Sequence, residues 1–137
     1  MKTLKLFCVV VTLCLFTGFF CKAQTVDVTI VVDGITEAKG KVMIAMGEQS
    51  NPQEMKYDMV DVASTEKIVC VLKDVPVGNC GLYVFQDIND NYQLDKDENQ
   101  IPVELCYSKE KIAVEEGGEN IEVMLVNVKE MMNRKKE

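Results

Sequence analysis

Polar and apolar residues alternate over the first readable stretch, with Val26, Val28, Ile30 and Val32 set against Asp27, Thr29, Val31 and Asp33. A period of two predicts a strand with one buried face, ended by Gly34. The next run, 41–46, carries Val42, Ile44 and Met46 on one parity and Met43 and Ala45 on the other. That pattern predicts a strand covered on both faces, bracketed by the turn residues Gly40 and Gly47. The polar EQSNPQ segment (48–53) reads as a surface loop, since Pro52 discourages regular structure. In 55–63, Tyr57, Met59 and Asp61 oppose Asp58, Val60 and Val62, which predicts an edge strand; a short helix over 53–59 is the alternative. The IVCVL run (68–72) is apolar on both parities and predicts an inner strand of a packed sheet.

Residues 75–102, VPVGNCGLYVFQDINDNYQLDKDENQIP, dominate the second half. Pro76 and Gly78 mark a turn, Leu82 to Phe85 make a dense strand signal, and an acid- and amide-rich loop follows. Further on, 111–114 and 121–128 read as a hairpin about the turn 115–120, whose adjacent glycines supply positive φ. A short frayed helix follows residue 129. About seven short strands at regular spacing, with no alternation of strand and helix, predict an all-β fold, an antiparallel β-sandwich.

The N-terminus changes the picture of where the chain works. Lys2 and Lys5 precede an apolar run from Leu6 to Phe16, and Cys21-Lys22-Ala23 follows, the pattern of a secretory signal peptide cut after Ala23. The domain division is therefore signal peptide 1–23, β-sandwich 24–128 and basic C-terminal tail 129–137. Lipidation at Cys21 is the alternative, and Phe19 and Phe20 stand where a lipoprotein signal wants small residues. The expected location is secreted or periplasmic, with no transmembrane segment after signal removal. Three of the 15 cations and none of the 22 acids lie in 1–23, so the remainder carries −10. Such a field repels phosphate backbones and argues against nucleic acid as a partner.

The 137 residues contain no histidine, which removes histidine-based triads, cysteine–histidine dyads and the usual zinc and copper sites. No glycine-rich phosphate loop is present either, so the expectation is a protein that is not an enzyme. The constellation that remains is the loop after Phe85. With Asp87 first, Asn89 and Asn91 fall third and fifth, Gln93 seventh, Asp95 ninth and Glu98 twelfth, the ligand spacing of a calcium loop. Tyr92 stands where the sharp bend calls for glycine. The plainer reading is a solvated loop whose Asp and Asn side chains shape turns on their own backbone. Cys80 and Cys106 flank the loop; a disulfide between them would contribute about 3 to 4 kcal/mol, and burial without bonding is the alternative. Cys70 reads as a buried thiol. The eight methionines spread over core-like positions, loop and tail without the clustering of a copper site.

The run 75–104 resembles the bacterial family of unknown function numbered 2141. Pro76, Gly78, Val84, Phe85, Asp87, Asn89, Asn91, Leu94, Asp95, Ile101, Pro102 and Glu104 fit its pattern. Gln86 stands where that family tends to have histidine, and Tyr92 and Gln100 where it has glycine. Cys80 and Cys106 stand near places it fills with tyrosine, which adds to the disulfide reading. The resemblance implies a small secreted transthyretin-like or immunoglobulin-like sandwich and supplies no activity. The expected function is a non-catalytic module that uses Asp87, Asn89, Asn91, Asp95 and Glu104 of the loop 87–104 to contact a protein or small ligand in the cell envelope. A calcium-stabilised structural domain is the alternative, and a hydrolase acting through acids of the loop ranks last.

Overall fold

The computed structural model describes residues 24–137; the expected signal peptide, 1–23, and with it Cys21, lies outside them. The first alternation becomes β1 (Thr25–Asp33), with Val28, Ile30 and Val32 wholly buried. After it come β2 (Lys41–Gly47), a single 3-10 turn (Pro52–Glu54), β3 (Lys56–Asp61), β4 (Ile68–Pro76), β5 (Gly78–Asp87), β6 (Cys106–Val114), β7 (Glu119–Met124) and the helix α1 (Val128–Arg134). They form two sheets, of order β4-β1-β7 and β3-β2-β5-β6. The buried side chains of both inner faces, Val28, Ile30, Val42, Ile44, Leu72, Leu82, Val84 and Val123 among them, make one cluster between the sheets. The architecture is thus the all-β sandwich that the alternation predicts.

Four expectations need correction. β4 is an edge strand: Cys70 and Leu72 point inward, but Val69 is 63% exposed and Val71 lies beside it on the outer face. β-branched residues favour a pleated backbone whether or not they are covered, so an apolar run does not by itself mean an inner strand. β2 is covered on one face alone, with Val42, Ile44 and Met46 buried and Met43 and Ala45 half-exposed. The predicted hairpin does not form, because β6 and β7 belong to different sheets. Residues 115–118 carry the chain across, and β7 lies parallel to β1 with Ile30 opposite Ile121 and Val32 opposite Val123. That pairing covers the second edge of β1 and puts Val123 and Leu125 into the core. In consequence one strand pair of this sandwich is parallel while the others are antiparallel.

Two local features fix the end of the sandwich that matters below. Gly40, at φ +71°, presses against the end of β5 so closely that a Cβ there would collide with the Asp87 carbonyl oxygen. Gln86, wholly buried in β5, donates from Nε2 to the Glu37 and Lys39 carbonyls at 2.9 and 2.8 Å. These contacts clamp the β1–β2 connection to the strand that leads into the acidic loop. Its Oε1 has no hydrogen-bond partner.

Candidate functional site

β5 delivers Asp87 to the sandwich end as a wholly buried carboxylate. Its Oδ1 accepts from the Asn91 backbone N–H at 3.2 Å and its Oδ2 from that of Tyr92 at 2.8 Å. The bend so held puts Asp90 at φ +54° and Tyr92 at φ +61°, a conformation in which glycine is the usual occupant. Glu104, also buried, works from the far side of the loop: Oε1 accepts from the Ile88 N–H and Oε2 from the Asp95 N–H, both at 3.0 Å. Further out, Asp97 Oδ1 accepts from the N–H groups of Asn99 and Ile101, and its Oδ2 lies 3.3 Å from Lys129 Nζ of α1. The Ile101 N–H, with Asn99 and Lys129 adding to it, holds the Asp97 carboxyl below the ordinary range.

The six residues at calcium-loop spacing are therefore not gathered about one point. Asp87 turns to the backbone, Asn89 and Asn91 donate from Nδ2 to Asp95 Oδ2 and Oδ1 at 2.6 and 2.7 Å, and Gln93 and Glu98 are exposed. Asp87, Asp95 and Glu104 are brought together as a brace; Asn89 and Asn91 close its outer side. Among the described residues no group of three or more histidine, cysteine or acidic side chains is arranged to hold a metal ion.

The Cys80–Cys106 disulfide is not made, and both are free thiols. Cys106 stands opposite Phe85, five residues along β5 from Cys80, or about 17 Å at strand rise. A disulfide needs Cα atoms within about 7 Å. The faces differ too: Cys80 lies in the core cluster, whereas Cys106 shares the outer face with Phe85. Cys70 is the buried thiol expected. Burial, with the Asp58 carboxylate accepting from Sγ at 2.9 Å, pushes it up to about 12.

What the sequence reading missed lies on the outer face of the four-stranded sheet. Met43 faces Met59 on one side and Phe85 on the other, and Ala45 lies between Tyr57 and Tyr83. The small Ala45 between two tyrosines leaves a hollow, and Tyr83 folds over Gly81, where a Cβ would lie 2.5 Å from the tyrosine hydroxyl and 2.9 Å from its ring. Tyr92 reaches in from the loop to complete a groove of about 340 Å³. Tyr57 and Tyr92 are 66% and 56% exposed. Lys41 stands at this corner, its Nζ 3.3 Å from the Tyr92 hydroxyl and 5.3 Å from the ring centre. The Tyr92 hydroxyl, with Asp90 and Asp61 adding to it, raises Lys41 above its ordinary value. The signal for the groove is present as apolar residues on the second parity of β2, β3 and β5; the register that unites them is not a local property.

Fold and site together define a β-sandwich whose acid-rich end loop is braced from within by carboxylates and whose larger sheet is open and aromatic on the outside. Residues 30–129 match the model of a family described as uncharacterized proteins conserved in bacteria (DUF2141), and the chain belongs to that family. Comparison with curated proteins gives no match, nor does comparison with solved structures.

Proposed function

We propose that this is an exported, non-catalytic binding module of the cell envelope that holds a small apolar or aromatic molecule on the outer face of its four-stranded sheet. The observation that carries the reading is the groove of Met43, Tyr57, Met59, Tyr83, Phe85 and Tyr92, left open in a protein with a well-filled core. Its volume, about 340 Å³, is at the lower end of small-molecule sites. The loop 87–104 takes part by holding Tyr92 over one end of the groove; its acids set the shape of the loop. Asp58 borders the groove and residues 24–137 carry −10, so a neutral or cationic ligand suits it better than an anion.

Nile red, a neutral dye that brightens in apolar surroundings, tests this with residues 24–137. One dye per chain should bind, and Met59→Asp, at an exposed edge position, should weaken binding at least tenfold with the melt unchanged. Equal binding to parent and variant would remove the groove from consideration.

A second reading, a domain stabilised by calcium, is favoured by the two short amide contacts to Asp95. A half-turn of the Asn89 amide would set a further oxygen against that carboxylate, the beginning of a hard-cation site, while Asn91 Oδ1 stays on the Gln93 N–H at 3.0 Å. A melting temperature raised by calcium, returned by chelator and insensitive to calcium in Asp95→Asn would support it.

A further inference from the structure

The fold brings one soft sulfur donor, Cys106, beside an adjacent pair, Met131 and Met132, about 25 residues further along the chain. Cys106 faces outward at the start of β6, and its backbone exchanges two hydrogen bonds with Val126, N–H to Val126 O at 3.0 Å and O from Val126 N–H at 3.1 Å. That bridge fixes Cys106 beside the segment leading into α1. The Asn127 side chain caps α1 by accepting from the Glu130 N–H at 3.1 Å, and the Lys129–Asp97 pair ties it to the loop. A seven-residue helix is marginal alone, so these anchors hold it in place. One turn in, Met131 and Met132 line the same hollow as Cys106, a space of about 340 Å³. Both methionines are nearly half exposed, at 45% and 43%, and so contribute little to core packing.

We infer that Cys106, Met131 and Met132 form a binding site for a soft monovalent metal ion, copper(I) in the first place. A thiolate with two thioethers is a donor set that selects copper(I) over hard cations such as calcium and magnesium. Thioether side chains are flexible enough to converge on an ion from the walls of a shallow hollow. Binding exchanges the Cys106 proton for the metal: the S–H bond breaks, an S–Cu bond forms, one proton is released and no electron moves. An ordinary thiol, at about 8.5, carries its proton at neutral pH, so the released proton is countable. The site is separate from the aromatic groove, and neither depends on the other.

The core lies entirely within 28–125, so the segment 24–137, which lacks Cys8, Cys14 and Cys21, is the protein to test. Copper(I) is offered without oxygen in competition with bicinchoninate, and silver(I) is counted by native mass spectrometry. The expected result is one ion and about one released proton per chain. Cys106→Ser should weaken binding at least 100-fold, and the double variant Met131→Leu/Met132→Leu at least tenfold, while Met59→Leu changes nothing. Both Met131 and Met132 are at the surface and leucine is a good helix former, so folding, checked by circular dichroism, is preserved. The inference is overturned if the double variant binds as tightly as the parent, which would mean a thiol acting alone. It is overturned equally if Cys106→Ser keeps the ion, or if the ion is taken up only with loss of the native β-sheet signal, which would place it on Cys70 or Cys80.

Discussion

The acid-rich loop and the outer sheet face look, by composition, as though their roles should be reversed. The loop is dense in groups that bind ions and polar ligands, yet its buried carboxylates face inward, each accepting two backbone N–H groups. The sheet face holds residues of the kind that fill cores, and it leaves them in solvent. An isolated loop backbone must satisfy its N–H groups somewhere, and with no neighbouring strand the nearest acceptors are its own side chains. The lesson is that an acidic cluster in sequence is first a statement about loop backbone, whereas uncovered apolar residues on a sheet are a statement about partners.

The largest effect is expected from the brace that joins the two ends of the loop. Glu104→Ala leaves the Ile88 and Asp95 N–H groups without an acceptor and opens the loop at both ends. Charge-assisted hydrogen bonds contribute about 1.5 to 3 kcal/mol each, so urea denaturation should show a loss of about 4 kcal/mol. Glu104→Gln, which keeps one acceptor, should lose roughly half of that. A loss under 1 kcal/mol for the alanine variant would mean that the loop does not need its brace.

Gln86→Leu comes next. It removes the two bonds to the Glu37 and Lys39 carbonyls but also removes the partnerless Oε1, so the expected loss is smaller, about 2 kcal/mol. The same variant loosens Gly40 from Asp87, and amide exchange in 35–40 should rise ahead of exchange in β1.

How much of this was legible beforehand follows from which facts are local. Inward positions such as Val28, Ile30, Val42, Ile44 and Val84 are set by alternation, and alternation is visible in a few consecutive residues. The edge position of β4 and the parallel pairing of β7 depend on which strand is the neighbour, and IVCVL reads the same in either case. Asp87 and Glu104 stand out in the sequence as residues for contacting a ligand, but spacing cannot tell an oxygen aimed at a ligand or ion from one aimed at a backbone N–H, where the structure aims both. The groove needed the register that sets Ala45 between Tyr57 and Tyr83, and the Cys106–Met131–Met132 group needed the bridge at Val126.

Tyr92→Gly separates the two regions most cleanly, because the residue belongs to both. In the loop, glycine relieves a positive φ worth about 1 kcal/mol to tyrosine, offset by a more flexible unfolded chain and the lost contact with Lys41. Stability should therefore stay within about 0.5 kcal/mol of the parent. On the groove side the change removes one wall, and Nile red affinity should fall severalfold. Affinity unchanged alongside an unchanged melt would confine Tyr92 to the loop and shrink the groove to the sheet alone.

The smallest effect is electrostatic and tests the outer part of the loop. Asp97 is held below its ordinary value of 3.8 by backbone N–H groups and Lys129, so the folded state favours its ionised form. The contribution to stability is then complete above about pH 4 and disappears as pH falls through the lowered value, where unfolded chains already carry the proton. Asp97→Asn keeps an acceptor for the Asn99 and Ile101 N–H groups and loses the charge that meets Lys129. At pH 7 the two proteins should differ slightly, and from pH 4 downward their stability curves should converge as the parent loses what the variant never had. Because Lys129 lies in α1, helix signals of the parent should weaken over that same acid window while signals from β1 and β2 stay fixed. Parallel curves across the whole range would show that Asp97 shapes its turn without holding the helix.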